Sequence, residues 1–267
     1  MKISRLLVLV LFFIITTSSS DYFFSLSILL AQENVKTILK KLDRHYYYPQ
    51  KMGLVNIAAQ YKWEQKDISL KKNSFIQNPN FWFYGEFKGE SSIKYIKISD
   101  DKLMLSDVEK NKYLELLGNY RDIFIPKRLH KKFSEYKGES YFNNDGDILL
   151  TFSRNDSSDA SNDFELLVDK NKWRLSSIRI KQKREPKILV GKFRYEMKDD
   201  KWVVVEVLSS YFLNKKKYVE KIEYTYRKLK SFWLVNKIRQ TVQADGRDVL
   251  LNRFRLIDHV INSSNQR

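Results

Sequence analysis

From residue 56 almost to the C-terminus, the chain is a succession of strand-length segments in which large apolar and polar side chains alternate. Ile57, Ala59, Tyr61 and Trp63 are interleaved with Ala58, Gln60, Lys62 and Glu64. Leu189, Phe193, Tyr195 and Met197 share one parity, as do Leu250, Phe254, Leu256 and Val260. Tyr218, Ile222, Tyr224 and Tyr226 share another, opposed by Lys221, Glu223, Thr225 and Arg227. A period of two places each set on one face of a half-buried strand. Asp199-Asp200, Asp245-Gly246 and the stretch Asn143–Asp147 supply turn chemistry between such runs, so neighbouring strands are expected to pair antiparallel as a meander. One segment breaks the alternation. Phe81, Trp82, Phe83 and Tyr84, followed by Phe87, put aromatic rings on both faces, which predicts a strand buried on both sides or lining a cavity. A further strand spans Ile93–Ile98 and carries Tyr95.

Two helical segments interrupt this pattern. Val35, Ile38, Leu39, Leu42 and Tyr46 recur at helical spacing, with Asn34 as N-cap and Pro49 as the end of the element. A lone amphipathic helix of this length is marginal in water, so its stripe must dock on something. Ser106 and Glu109 fit a capping box. Tyr113, Leu114, Leu116, Leu117 and Tyr120 give the following helix an apolar side, and the basic run Lys127, Arg128, Lys131 and Lys132 comes after Pro126. Residues 106–135 therefore read as a helical insert between strands. The predicted fold class is mainly antiparallel β with α cover (α+β), in a single domain over residues 32–267.

The N-terminus has the form of an export leader. Lys2 and Arg5 precede the apolar run Leu6–Thr17, which is short for a bilayer span, and a second apolar stretch, Tyr22–Ala31, follows Ser18–Asp21. Residues 1–31 are expected to be a signal peptide cleaved after Ala31. Cleavage near Ser18–Ser20, or retention as an anchor, are the alternatives. The formal charge is +17, and residues 1–31 contribute Lys2, Arg5 and Asp21, so +16 remains on the rest. That field favours anionic partners such as acidic headgroups. The absence of cysteine rules out disulfides, thiolate metal sites and a cysteine nucleophile.

Catalytic signatures are lacking. His45, His130 and His259 are the only histidines and none has metal-binding spacing. There is no nucleophile elbow and no glycine-rich phosphate loop, so neither a cofactor nor a metal is expected. Asp145-Gly146-Asp147 lacks the terminal glutamate of a calcium loop and reads as a turn.

The order of elements resembles the LolA-like superfamily of periplasmic lipoprotein carriers and outer-membrane lipoprotein-sorting proteins. The leader is followed directly by one amphipathic helix, and strands lead into a helical insert. Phe164–Lys170 followed by Trp173–Ile180, the hairpin Tyr226–Ile238 containing Phe232-Trp233-Leu234, and the closing strand Phe254–Asn262 are similar to that family's segments. Ser231 and Val235 stand where the family usually has glycine and proline. The resemblance implies an incomplete (half) β-barrel, with the N-terminal helix and the helical insert as lid or plug over an acyl-chain site. It implies a non-catalytic periplasmic carrier of a lipid or lipidated protein in a Gram-negative envelope.

On that expectation, Tyr61, Trp63, Phe81, Phe83, Phe87, Tyr95, Leu114, Leu117, Phe193, Tyr195, Met197, Tyr224, Tyr226 and Phe254 are the candidate lining of a hydrophobic cavity. Lys127, Arg128, Lys131 and Lys132 are the candidate contacts to headgroups or membrane. A monomer with no nucleic-acid role is expected. The alternative is an envelope interaction protein of the same fold with a filled core, docking to membrane or to an acidic partner.

Overall fold

A computed structural model of the protein describes residues 34–68, 75–89, 91–99, 104–118, 120–142, 146–154 and 162–263. The leader, residues 143–145 of the expected Asn143–Asp147 hairpin, and residues 155–161 lie outside them. One sheet runs through these residues. Its strands are β1 Asn56–Asp67, β2 Ile76–Gln77, β3 Phe81–Lys88, β4 Ser91–Ile98, β5 Lys137–Phe142, β6 Ile148–Ser153, β7 Asn162–Asp169, β8 Arg174–Gln182, β9 Ile188–Lys198, β10 Lys201–Leu213, β11 Lys216–Leu229, β12 Phe232–Ala244 and β13 Arg247–Ile261. The spatial order is β4-β3-β1-β13-β12-β11-β10-β9-β8-β7-β6-β5, with β2 paired to β1. Neighbours pair antiparallel, and β5 to β13 follow one another in sequence order. The meander read from the alternation is therefore present. Its first and last long strands, β1 and β13, pair in mid-sheet, while β4 and β5 stand at opposite ends, so the sheet is open.

Helices α1 Val35–His45, α2 Asp107–Gly118, α3 Arg121–Phe124 and α4 Leu129–Lys132 pack against one face. Asn34 caps α1 by accepting from the Lys36 amide at 2.9 Å. Ser106 and Glu109 form the expected capping box at α2: the Ser106 amide donates to Glu109 at 2.9 Å and the Glu109 amide to Ser106 Oγ at 3.4 Å. α1 is shorter than its apolar stripe suggests. Tyr46 leaves the helix in an extended conformation and bridges to Trp202, where a strand partner is available.

Two large apolar cores result, with a small third cluster of Tyr47, Val203 and Val205. In the first, α2 and α3 lay Leu117, Tyr120 and Phe124 on Tyr61, Trp63, Phe81, Phe83 and Phe254. Ring centroids are 4.2 Å apart for Tyr61–Phe124 and 4.5 Å for Tyr120–Phe254. In the second, Ile38, Leu39 and Leu42 of α1 join Phe133 on β6 to β9, and the Phe133 and Phe152 rings stack at 4.2 Å. The aromatic run of β3 is not buried on both sides. Phe81, Phe83 and Phe87 enter the first core, whereas Trp82 and Tyr84 point to the other face, where Tyr84 stacks on Tyr95 at 4.8 Å. Among the described residues, no helix packs over that face to cover them.

A buried carboxylate joins α1 to the insert. Asp43 is 2% exposed and accepts from Tyr48 Oη at 2.5 Å and from the Leu129 and His130 amides at 2.8 and 3.1 Å. Tyr48 and Leu129 share Oδ1, while the His130 amide shares Oδ2 with His130 Nδ1, 2.5 Å away. Charge-assisted bonds of this kind are stronger than neutral ones, so Asp43 fixes the turn Arg128–Phe133 against α1.

Candidate functional site

The ladder between β10 and β11 is incomplete. The two strands pair over Glu206–Leu213 and Lys216–Glu223. Before that, residues 201–204 of β10 pair with β9, and after it residues 224–229 of β11 pair with β12. The strands separate at the bulge between Val204 and Glu206. The segment Tyr46–Tyr48 enters the gap. The Tyr47 amide donates to the Trp202 carbonyl at 2.9 Å, and Tyr47 Oη accepts from the Trp233 amide at 2.9 Å. Tyr226 Oη donates across the opening to the Val204 carbonyl at 3.1 Å. Three hydrogen bonds made by Tyr47 and Tyr226 thus replace missing rungs of backbone pairing.

Beneath this gap, at the seam of the two cores, lies a partly open cavity. Its volume is about 130 Å³, well above the ~10–15 Å³ that a single water needs. The first core contributes Ile123, Phe124, Tyr224 and Val235 to the wall, and the second contributes Leu129, Phe133, Leu166, Leu175 and Ile178. Phe193 touches both cores. Packing two separate cores on one sheet leaves such a void where neither set of side chains reaches the other.

The polar atoms around the cavity fall into two groups. The first is a set of tyrosine hydroxyls. Tyr46 Oη accepts from the Leu175 amide at 2.8 Å and lies 3.0 Å from Tyr195 Oη. Burial pushes the Tyr46 hydroxyl up to about 12 and the Tyr195 and Tyr224 hydroxyls well above their ordinary range, so all three keep their protons. Tyr224 is 8% exposed, and its buried hydroxyl has no hydrogen-bond partner. The second group is cationic. Lys127 and Lys132 line the cavity together with Asp122. Lys94, on the inner parity of β4, donates to Asp122 and to the Ile125 carbonyl, the latter at 2.9 Å. Burial lowers the ammonium pKa values of Lys94 and Lys132, opposed by the attraction of Asp122 and reinforced by the repulsion of Lys127.

Of the predicted lining, Phe193, Tyr195, Tyr224 and Tyr226 meet at this cavity. Tyr61, Trp63, Phe81, Phe83, Phe87, Leu117 and Phe254 are buried in the first core instead, with Leu114 packed against it. α2 and α3 fill the space over them, so they carry packing rather than a hollow. Tyr95 and Met197 are 48% and 47% exposed. Tyr95 has outward parity on β4, and Met197 sits at the far end of β9. Among the basic candidates, Lys127 and Lys132 reach the cavity and Arg128 and Lys131 do not line it. The wall also contains Tyr46, Tyr47, Tyr48, Trp202 and Trp233, which sequence reasoning missed. The one signal for Tyr46–Tyr48 was three consecutive tyrosines before Pro49. Among the described residues, no group of three His, Cys, Asp or Glu side chains could hold a metal ion, and no helix is long and apolar enough to cross a membrane.

No family model and no curated protein matches the sequence. The solved structures that match include these three. One is a putative outer membrane lipoprotein-sorting protein domain from Vibrio parahaemolyticus, at 8% identity and a TM-score of 0.42, covering 87% of this chain and 94% of that chain. The second is a DUF1329 family protein from Desulfovibrio piger, at 11% identity and 0.37, covering 87% and 95%. The third is a LolA superfamily protein from Nitrosomonas europaea, at 8% identity and 0.36, covering 86% and 94%.

Proposed function

We propose that the protein is a non-catalytic carrier or binder of an acyl chain, borne by a lipid or by a lipidated protein, and that the chain lodges in the cavity between the two cores. The carrying observation is that cavity: apolar on most of its wall, partly open, and placed where the strand ladder has parted. On this reading the sheet acts as a half-barrel. α1 and the insert act as its lid, anchored at Asp43, and Lys127 and Lys132 steer an anionic headgroup to the mouth. The leader-like N-terminus supports export to the periplasm of a Gram-negative envelope, where the mature chain acts as a monomer.

The magnitude suits transfer rather than permanent storage. A buried chain of about ten methylenes, at about 0.8 kcal/mol each, would give about 8 kcal/mol of gross burial. That corresponds to a Kd near 1 μM before the costs of association are subtracted. A chain held this way can be passed on.

Native mass spectrometry of gently purified protein, with titration of a fluorescent fatty-acid probe, tests the reading. Binding at micromolar or weaker affinity is expected, with loss of the probe in Ile178→Trp, which fills the cavity. A protein that carries no lipid and binds no probe is not a carrier.

A further inference from the structure

The face of the sheet turned away from the helices carries a pattern independent of the cavity. Lys62 on β1 stands directly opposite Arg255 on β13, and Arg255 directly opposite Lys237 on β12. In the next outward row, Arg253 stands directly opposite Arg239. Like charges in directly opposed positions destabilise a sheet. Two carboxylates offset them in part: Glu64 meets Arg255 at 2.7 Å and Lys62 at 3.4 Å and stands directly opposite Arg253, whose guanidinium stacks on Phe75, and Glu223 meets Arg239 at 3.9 Å. Five cations therefore face two carboxylates. Arg255 and Arg239 keep about half of their side-chain surface exposed, at 46% and 57%.

Beside this block runs an apolar row, also in register. Tyr95 on β4 opposes Tyr84 on β3, Tyr84 opposes Ala58 on β1, and Ala58 opposes Val260 on β13. Trp82 stacks on Tyr84 at 6.1 Å. Ile93, Tyr95 and Val260 are 58%, 48% and 40% exposed. Lys88 and Lys97, with Glu86 and Asp258, fringe the row with no net charge.

We propose that this outer face docks on an anionic lipid bilayer. The cation rows would lie on lipid phosphates, and the Tyr84, Tyr95, Ile93 and Val260 row would sit at headgroup depth, where amphipathic aromatic rings are favoured. Charge complementarity accounts for cations opposed at a cost to the sheet. The aromatic geometry selects the bilayer over a nucleic acid. Tyr84 and Tyr95 are near-parallel, at 12°, and cover each other's faces, whereas a base-binding platform presents open ring faces.

Sedimentation with phosphatidylcholine vesicles, with and without about one-third phosphatidylglycerol, tests this. The apolar N-terminal segment is common to all variants and cancels in the comparison. The protein should bind the anionic vesicles. Lys62→Gln, Lys237→Gln and Arg239→Gln combined should weaken partition about a hundredfold, since each surface cation contributes about one factor of five. The melting temperature should change little, because relief of opposed like charges offsets the loss of the exposed Lys62–Glu64 and Arg239–Glu223 ion pairs. Removing three charges from the β10–β11 hairpin, with Lys215→Gln, Lys216→Gln and Lys217→Gln, should change partition only a few-fold. Tyr84→Ser with Tyr95→Ser should abolish the binding that survives at high salt. Three results would overturn the proposal: no binding to anionic vesicles at low salt, equal losses in the hairpin control, or a face variant that loses single-stranded DNA binding and leaves vesicle binding untouched.

Discussion

Glu220 is a carboxyl group without access to water in the middle of β11. Its inner-face neighbours form a polar row across the sheet. Gln240 donates to one of its oxygens, Ser209 Oγ donates to the other at 3.5 Å, and Gln240 Oε1 accepts from Tyr120 Oη and Asn252 Nδ2, both at 2.8 Å. Burial raises the carboxyl pKa from 4.5 to about 8, against the lowering by Gln240 and Ser209. The native state therefore holds a proton near neutrality that the unfolded chain has released. Because the folded pKa is the higher one, this group's effect on stability is absent below about pH 4.5. It becomes a growing penalty as pH rises toward 8, then levels off.

Glu220→Gln copies the protonated shape, with a carbonyl to accept from Gln240 and an amide to donate to Ser209. It removes the penalty. At about 1.36 kcal/mol per pH unit above 4.5, the gain is about 3 kcal/mol at pH 7 and under about 1 kcal/mol at pH 5. Urea unfolding followed by tryptophan fluorescence at both pH values measures the difference. An equal gain at pH 5 and pH 7, or a loss at pH 7, would refute a buried neutral carboxyl.

Further outcomes can be checked the same way. Asp43→Ala removes the acceptor shared by Tyr48, Leu129 and His130, and should cost about 3 kcal/mol in urea unfolding while exposing residues 127–135 to protease. Tyr224→Phe deletes a buried hydroxyl without a partner and should raise ligand-free stability by about 1 kcal/mol, read as a higher melting temperature. Phe83→Asp places a carboxylate at a position with no exposure, against Phe124 at 5.3 Å. It should abolish cooperative unfolding by near-ultraviolet circular dichroism, and retention of a native spectrum would contradict the core assignment.

The pairing of consecutive strands from β5 to β13 was legible because it rests on local chemistry, whereas the joining of β1 to β13 was not. Period-two alternation marks β1, β9, β11 and β13, and tight turns such as Asp199-Asp200, both at positive φ, force consecutive strands to pair. Helix starts were legible for the same reason, since Asn34 and Ser106 act within three residues of themselves. The placement of the cavity was not. Tyr61 and Phe254 have the same inward parity as Tyr224, and only the landing site of α2 and α3 decides that the first two are packed over and the third borders a void. Likewise, nothing local tells that Tyr46–Tyr48 leave α1 to fill the gap between β10 and β11, or that Lys62, Arg255 and Lys237 form one row. Sequence alone determined the strands, their parity and the helix caps, because these depend on neighbours along the chain. Tertiary structure decided which inward faces are filled and which outward charges align, because those depend on register between strands distant in sequence and on how far two separate cores extend toward each other.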